Sequence, residues 1–245
     1  MKLRFLGTGD AFGSGGRFNT CFCVEHRHGA FLIDCGASSM IPMRKFGIDP
    51  NGIQVIFITH LHGDHFGGLP FLILDAQLVS RRTTSLTVAG PPGLGDRLFA
   101  AMEVLFPGSS HIERRFAIDI LELDEPEKAQ DVLGITVTPY VVKHPSGAPA
   151  FALRFEADNK VLCYSGDTEW VDDLLLAAHN SDLLLVEAYF FDKPVKFHLD
   201  FATLAAKLPQ IGARRVILTH MSTEMLRRAR ETGYEIAEDG ETVIV

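Results

Sequence analysis

The sequence predicts an α+β chain in which two mixed sheets pack face to face and helices cover the outside. Two observations lead there. Short apolar runs rich in Val, Ile and Phe follow one another through glycine turns, while helical segments interrupt them without a regular βαβ period. Hydrophobic residues make up 47% of the 245 positions, enough for a core between layers. No repeat, low-complexity tract or Pro/Gly/Ser linker divides the chain, so one domain over residues 1–245 is expected.

The elements follow in order. Leu3–Leu6, Thr20–Glu25 and Ala30–Ile33 read as strands, the last two joined at His28-Gly29, and Ser38–Phe46 reads as a helix ended by Gly47. Val55–Ile58 has the β-branched and aromatic content of a buried strand. Gly68–Val79 reads as a helix whose Pro70 falls harmlessly in the first turn. A strand at Leu86–Ala89, a helix at Leu94–Leu105 and strands at Phe116–Glu122, Ile135–Lys143, Ala150–Glu156 and Val161–Ser165 come next. Helices at Trp170–His179, Phe201–Leu208 and Glu224–Thr232 alternate with strands at Leu183–Glu187 and Val216–Thr219. The polar, acidic stretch Glu122–Gly134 reads as a solvated loop.

Twenty-three Lys and Arg stand against 31 Asp and Glu, a formal net charge of -8. A duplex-coating protein needs a basic face to release counterions, so this balance argues against a stable nucleic-acid partner. It leaves room for an acidic enzyme that acts on a phosphate ester at a metal site. Neither the opening MKLRFLGTGDAFGSGG nor Phe66–Leu74, broken by two glycines and Pro70, has the apolar length of a signal peptide or membrane span. Cys21, Cys23, Cys35 and Cys163 form no CxxC pair and read as small buried hydrophobes of a reducing compartment. A cytoplasmic location without membrane contact is the default expectation.

The ten histidines are unevenly spread. Three of them and one carboxylate crowd into Thr59-His60-Leu61-His62-Gly63-Asp64-His65, directly after a buried strand. They occupy nearly every position, so the expectation is a tight loop at the strand's end rather than one helix face. Gly63, Gly67 and Gly68 let the backbone turn closely there. Imidazole and carboxylate at this density suit zinc or a similar divalent ion. One loop cannot complete two coordination shells. His144, Asp167 in Cys-Tyr-Ser-Gly-Asp-Thr and His220 in Ile-Leu-Thr-His-Met-Ser all sit at the end of a buried strand. A lone histidine there is ordinarily a cap or a surface residue, but three residues at one address are candidate ligands.

The series HxHxDH, a lone His, SGDT and a late Thr-His-Met-Ser resembles the metal ligands of the metallo-β-lactamase-fold hydrolases. The similarity covers essentially the whole chain, including FLGTG at the start and LIDCG around Asp34. It implies a four-layer αββα sandwich with its site at one edge of the sheets. It also implies two divalent metal ions, zinc foremost with manganese or iron as alternatives. One would be held by His60, His62 and His144, the other by Asp64, His65 and His220, with Asp167 bridging. Neither glutamate at position 62, which marks a diiron redox branch, nor cysteine at position 167, which marks true β-lactamases, is present.

Within that family the spacing is similar to ribonuclease Z relatives that lack the tRNA-binding arm. The 23 residues from His144 to Asp167 have room for one hairpin and no arm. His198, 22 residues before His220, resembles the histidine those phosphodiesterases place beside the metals, where it would assist the scissile phosphate. Its competing reading as a helix cap is weakened by Asp200, an equally good cap. The implied activity is hydrolysis of a small or cyclic phosphodiester. The ions would bring the pKa of a shared water toward ~7, giving hydroxide at neutral pH. Asp64 would orient or deprotonate that water, and His198 would act on the leaving oxygen.

Lactone, carboxylic-ester or thioester hydrolysis on the same ligands stays open, as do tRNA 3′-end cleavage and a non-catalytic metal-stabilised binder. The expected partner is a small-molecule ester, phosphodiester favoured, and a homodimer follows only by analogy with the family.

Other residues carry smaller expectations. Gly7, Gly9, Gly13, Gly15 and Gly16 fit neither a P-loop nor a dinucleotide fingerprint and read as a loop rimming the site. Asp34 reads as the acceptor for a ligand histidine or backbone amides. Tyr189, Phe190 and Phe191 suit either the pocket or the core. His26, His28, His111 and His179, with the pairs Arg81-Arg82 and Arg227-Arg228, read as surface residues.

Overall fold

The computed structural model describes residues 1–245. Six strands come first: β1 (Lys2–Gly7), β2 (Cys21–His26), β3 (Gly29–Ile33), β4 (Ile53–Phe57), β5 (Leu86–Gly90) and β6 (Ile118–Glu122). Next are β7 (Gln130–Val132), β8 (Ile135–Val142), β9 (Ala150–Ala157), β10 (Lys160–Tyr164), β11 (Leu183–Glu187), β12 (Val216–Thr219) and β13 (Glu235–Ile236), and last β14 (Thr242–Ile244). They form two seven-stranded sheets, ordered β14-β1-β2-β3-β4-β5-β6 and β13-β12-β11-β10-β9-β8-β7.

The central strands β3, β4, β5, β9, β10, β11 and β12 bury residues on both faces, which is why they read as near-continuous apolar runs, whereas β6, β13 and β14 at the sheet edges are mostly half-buried or exposed. One face of each sheet meets the other sheet. Phe31 and Phe57 of the first close on Phe155 of the second at ring-centroid distances of 5.3 and 5.0 Å, and Phe22 closes on Tyr164 at 5.1 Å. The opposite face of the first sheet, with Leu32, Ile56 and Val88, packs under α1 (Met40–Lys45), α3 (Leu69–Leu78) and α4 (Leu94–Leu105). The opposite face of the second, with Ala152, Cys163 and Leu184, packs under α5 (Asp173–Ala178), α6 (Phe201–Ile211) and α7 (Thr223–Arg228). The layers run α, β, β, α, as expected.

Strand direction positions the site. β3 to β6 run parallel to one another, and so do β10 to β13. β8 is antiparallel to β9 and β9 to β10, which returns β8 to the direction of β10. The carboxyl ends of β4, β8, β10, β11 and β12 therefore gather at one edge. There the sheets are stitched together by the Phe151 amide donating to the Thr59 carbonyl (3.0 Å) and the His220 amide donating to Thr8 (3.1 Å).

Several expectations change. The histidine motif is only partly a loop: Gly63–Phe66 forms a single helical turn, α2, that carries Asp64 and His65, while His60 and His62 precede it. Glu122–Gly134 is not all solvated loop. Leu123 is buried, and β7 pairs with β8 through a two-residue turn at Leu133 and Gly134, whose φ values are 54° and 81°. No Asn-Gly or Asp-Gly pair marks that hairpin. Arg82 is buried rather than solvated, its guanidinium donating to the carbonyls of Pro50, Ile53, Thr84 and Ser85. All four cysteines are free and buried. No helix is long and apolar enough to cross a membrane.

Candidate metal centre

Each expected ligand lies just beyond a strand's carboxyl end. His60 and His62 follow β4, His144 follows β8, Asp167 follows β10 and His220 follows β12. The ligand atoms of His60, His62 and His144 lie within 4.8 Å of one another, and so do those of Asp64, His65, Asp167 and His220. Asp167 stands between the two groups. Its Oδ2 is 3.9 Å from both His60 Nε2 and His144 Nε2 and 3.1 Å from His220 Nε2, while its Oδ1 is 3.3 Å from His65 Nε2.

His60 Nε2, His65 Nε2 and Asp167 Oδ1 are buried without a hydrogen-bond partner. An orphaned buried polar atom ordinarily costs about 1–3 kcal/mol, so three in one cluster require a reason. Lone pairs converging on a common space are what a cation's donor set looks like, and the nitrogen-oxygen mixture suits a first-row divalent ion. The residues present fit a metal site.

The other ring nitrogens are held from behind. His65 Nδ1 pairs with Asp34 Oδ2 at 2.6 Å, as the sequence led one to expect. The Thr59 amide and hydroxyl donate to the same carboxylate (2.8 and 2.9 Å), and the Thr59 oxygen lies 3.1 Å from His60 Nδ1. His144 Nδ1 donates to the Phe197 carbonyl at 2.7 Å, and His220 Nδ1 is 3.2 Å from the Thr20 hydroxyl. Three of these residues take left-handed backbone angles: Asp34 at φ 58°, Phe197 at 70° and His220 at 54°. Such angles cost of order 1–3 kcal/mol and persist where surrounding contacts over-determine them.

His198 joins the cluster. Its Nδ1 hydrogen-bonds Glu187 Oε1 and lies 3.9 Å from Asp167 Oδ2. The cap at α6 is Asp200, which accepts from the Thr203 amide, so His198 is free for the site. Glu187 closes β11, is fully buried, and is the functional residue that sequence reading missed. Its Oε2 accepts from the amides of Thr168 (2.9 Å) and Leu199 (3.2 Å) and its Oε1 pairs with His198, so the carboxylate holds that ring beside the cluster, and one ligand atom each of Asp167, Glu187, His198 and His220 lie within 4.8 Å of one another. The available signal was an acid ending the otherwise apolar run Leu-Leu-Leu-Val-Glu.

Charge is distributed unequally. Burial, helped by neighbouring His65, pushes the His60 pKa well below its ordinary value, and burial lowers that of His144 too. Burial acts the same way on His65 and His220, but the Asp167 carboxylate outweighs it, joined at His65 by Asp64 and Asp34. It raises His65 well above its usual range and His220 to about 9. Burial would raise Asp64, yet His65 and His220 hold it at about 2. Burial also opposes a proton on His198, while the hydrogen bond and charge of Glu187 more than restore it.

Above the cluster opens a cavity of 340 Å³ lined also by Asp10, Ala11, Phe12 and Tyr189. The glycine-rich opening loop thus rims the site. Tyr189 stacks on His198, with centroids 4.7 Å apart, whereas Phe191 packs on Phe201. His28, His111 and His179 are exposed and His26 is half-buried, all outside this lining.

Similarity to ribonuclease Z proteins and to solved structures of this architecture makes the chain a metallo-β-lactamase-fold, metal-dependent hydrolase of the ribonuclease Z-like branch. Among the solved structures similar to it are the short form of human tRNase Z (TM-score 0.82, 26% identity, 100% of this chain and 99% of that one) and the metallo-β-lactamase fold protein YhfI of Bacillus subtilis (TM-score 0.78, 18% identity, 99% and 98%). The chain belongs to the family described as anti-Pycsar protein Apyc1, whose model matches residues 1–243. It is also similar to ribonuclease Z of Bacillus mycoides, 28% identical over 305 aligned positions that cover 98% of this chain and 97% of that protein. That alignment exceeds the 245 residues of this chain, so the relative carries segments with no counterpart here.

Proposed function

We propose that this protein hydrolyses a small or cyclic phosphodiester using two divalent ions, zinc foremost. The observation that carries the reading is the His198–Glu187 pair set beside Asp167. In this reading His60, His62 and His144 hold one ion, Asp64, His65 and His220 the other, and Asp167 lies between them. When bound, the ions supply a water of lowered pKa and positive charge for the non-bridging phosphate oxygens.

The chain's own groups do the rest. Asp64 turns Oδ2 toward His65 and His220, at 3.4 and 3.9 Å, which leaves Oδ1 to orient the attacking water and take its proton. Glu187 fixes His198 through Nδ1 and favours its protonated form, so Nε2 can donate to the departing alkoxide. A thiolate leaving group needs no such proton, which favours a phosphodiester over a thioester. The 340 Å³ cavity sits at the small end of ligand pockets, about 300–1,000 Å³, and suits a small substrate.

Cleavage at the 3′ end of tRNA is the second reading, favoured by the relatives named ribonuclease Z. The segments those relatives carry and this chain lacks favour the small diester. The test loads the purified protein with zinc or manganese and compares cyclic nucleotides, bis-p-nitrophenyl phosphate, a lactone panel and a precursor tRNA. Turnover of the small diesters with about two ions per chain is expected. Lactone turnover alone would sink the phosphodiesterase reading, and cleavage of precursor tRNA alone would replace it with the second.

A further inference from the structure

We infer that Glu169 is a positioning residue for the His60, His62 and His144 group, and that it acts through the backbone turn at Phe197. The inference rests on reading that cluster as a metal site and is independent of what the substrate is.

Phe197 sits under backbone constraint. Val195 and His198 pair across a two-residue turn, Lys196-Phe197, and Phe197 takes φ 70°. That second central position ordinarily goes to glycine or asparagine, because a β-carbon is crowded in the left-handed region. Ring packing does not hold Phe197 there: the residue is 37% exposed and belongs to none of the three apolar cores. Its two peptide groups do. The Phe197 amide donates to Glu169 Oε1 at 2.8 Å, and the Phe197 carbonyl accepts from His144 Nδ1 at 2.7 Å.

Glu169 stands where three strand-end segments meet. It follows Asp167 by two positions, and its backbone bridges Lys143, the residue before His144, with the Glu169 amide donating to the Lys143 carbonyl at 3.2 Å. Its Oε2 accepts from Lys143 Nζ at 2.8 Å, which aims Oε1 at the turn. One side chain thus spans from the segment that carries His144 to the turn whose carbonyl orients the His144 ring. A proton fixed on Nδ1 by that carbonyl leaves Nε2 as the ligand atom. The other ligand group is braced elsewhere. The His220 amide donates to the Thr8 carbonyl (3.1 Å), and the Thr8 amide donates to Asp239 (2.9 Å). Glu169 should therefore bear on one ion and not on the other.

The test measures zinc binding by competition with a chromophoric chelator on the parent, Glu169→Ala, Glu169→Gln and Glu169→Ala combined with Phe197→Gly. In Glu169→Ala one of the two ions should bind about 10-fold more weakly, the lower end of what losing an outer partner costs, while the other keeps the parent's affinity. His144→Ala should abolish that same binding step. Glu169→Gln keeps an acceptor for the Phe197 amide and should bind as the parent does, since the exposed pair with Lys143 adds little. Glycine accepts the left-handed angle without help, so Phe197→Gly should restore binding in the alanine background.

Parent-like affinity for both ions in Glu169→Ala would overturn the inference. So would equal weakening of both ions together with a lower melting temperature in EDTA, which marks general damage. An alanine defect that glutamine shares, or that Phe197→Gly leaves unrepaired, would also refute the route through the turn. A parent that takes up no zinc would instead refute the metal reading, and the inference with it.

Discussion

Replacing Asp34 by Asn separates charge from shape behind the metal cluster. Asp34 is completely buried and accepts from His65 Nδ1 at 2.6 Å and from the Thr59 amide and hydroxyl at 2.8 and 2.9 Å. Because Thr59 also contacts His60 Nδ1, one carboxylate orients a histidine of each ligand group. Asn tolerates the left-handed backbone at this position, so the fold around it survives. Its amide offers one acceptor oxygen where the carboxylate offered two. Either the His65 bond or the Thr59 bonds must then be lost, or the His65 ring must take the wrong tautomer. Loss of such an outer partner lowers metal affinity about 10- to 100-fold, or about 1.4–2.7 kcal/mol. Loss of one charge-assisted bond should remove roughly 1.5–3 kcal/mol of stability. Titration against a chromophoric chelator reads the first, and thermal unfolding in EDTA reads the second. Parent-like metal affinity in a destabilised Asp34→Asn protein would show that Asp34 only fills the core, and the orienting argument would be wrong.

Other outcomes follow from the same geometry. His198→Ala should lower kcat on a phosphodiester roughly 10²- to 10⁴-fold while metal content stays at the parent level; unchanged kcat would remove His198 from the chemistry. Zinc must displace the protons that the carboxylates hold on His65 and His220. These raised groups stabilise the metal-free fold below the unfolded histidine value of about 6.5, and that support is lost as pH rises through about 9. The zinc-induced rise in melting temperature should therefore grow from about pH 6 to about pH 9, and a pH-independent rise would contradict the ligand assignment. Arg82→Met strips four carbonyls of their buried donor at the amino ends of β4 and β5, away from the site. It should cost about 2–4 kcal/mol by urea unfolding with metal content per folded molecule preserved; loss of metal at equal foldedness would show coupling to the site.

Much was legible in the sequence because it is written locally. The apolar runs of β11 and β12 and the helix at Leu94–Leu105 stand where composition and turn residues place them. The crowding of His60, His62, Asp64 and His65 into one short stretch marks candidate ligands, as does the shared strand-end address of His144, Asp167 and His220, and the fold brings their ligand atoms together in two groups. Less was legible where a residue's meaning depends on a distant partner. β13 and β14 are two and three residues long and exist because β12 and β1 offer them an edge. Arg82 reads as a solvated charge until four carbonyls close around it.

By itself, then, the sequence determined the layer architecture and the kind of atoms that meet at the site, because periodicity and ligand chemistry are properties of neighbouring residues. Only the tertiary structure decided how those atoms are held. Folding brings Asp34 to His65, the Phe197 carbonyl to His144, Glu187 to His198 and Asp239 to Thr8, contacts that span 31, 53, 11 and 231 positions. No local pattern encodes such pairings. They arise from the direction of parallel strands, which delivers separate carboxyl ends to one edge and leaves each polar group there to find its partner in space.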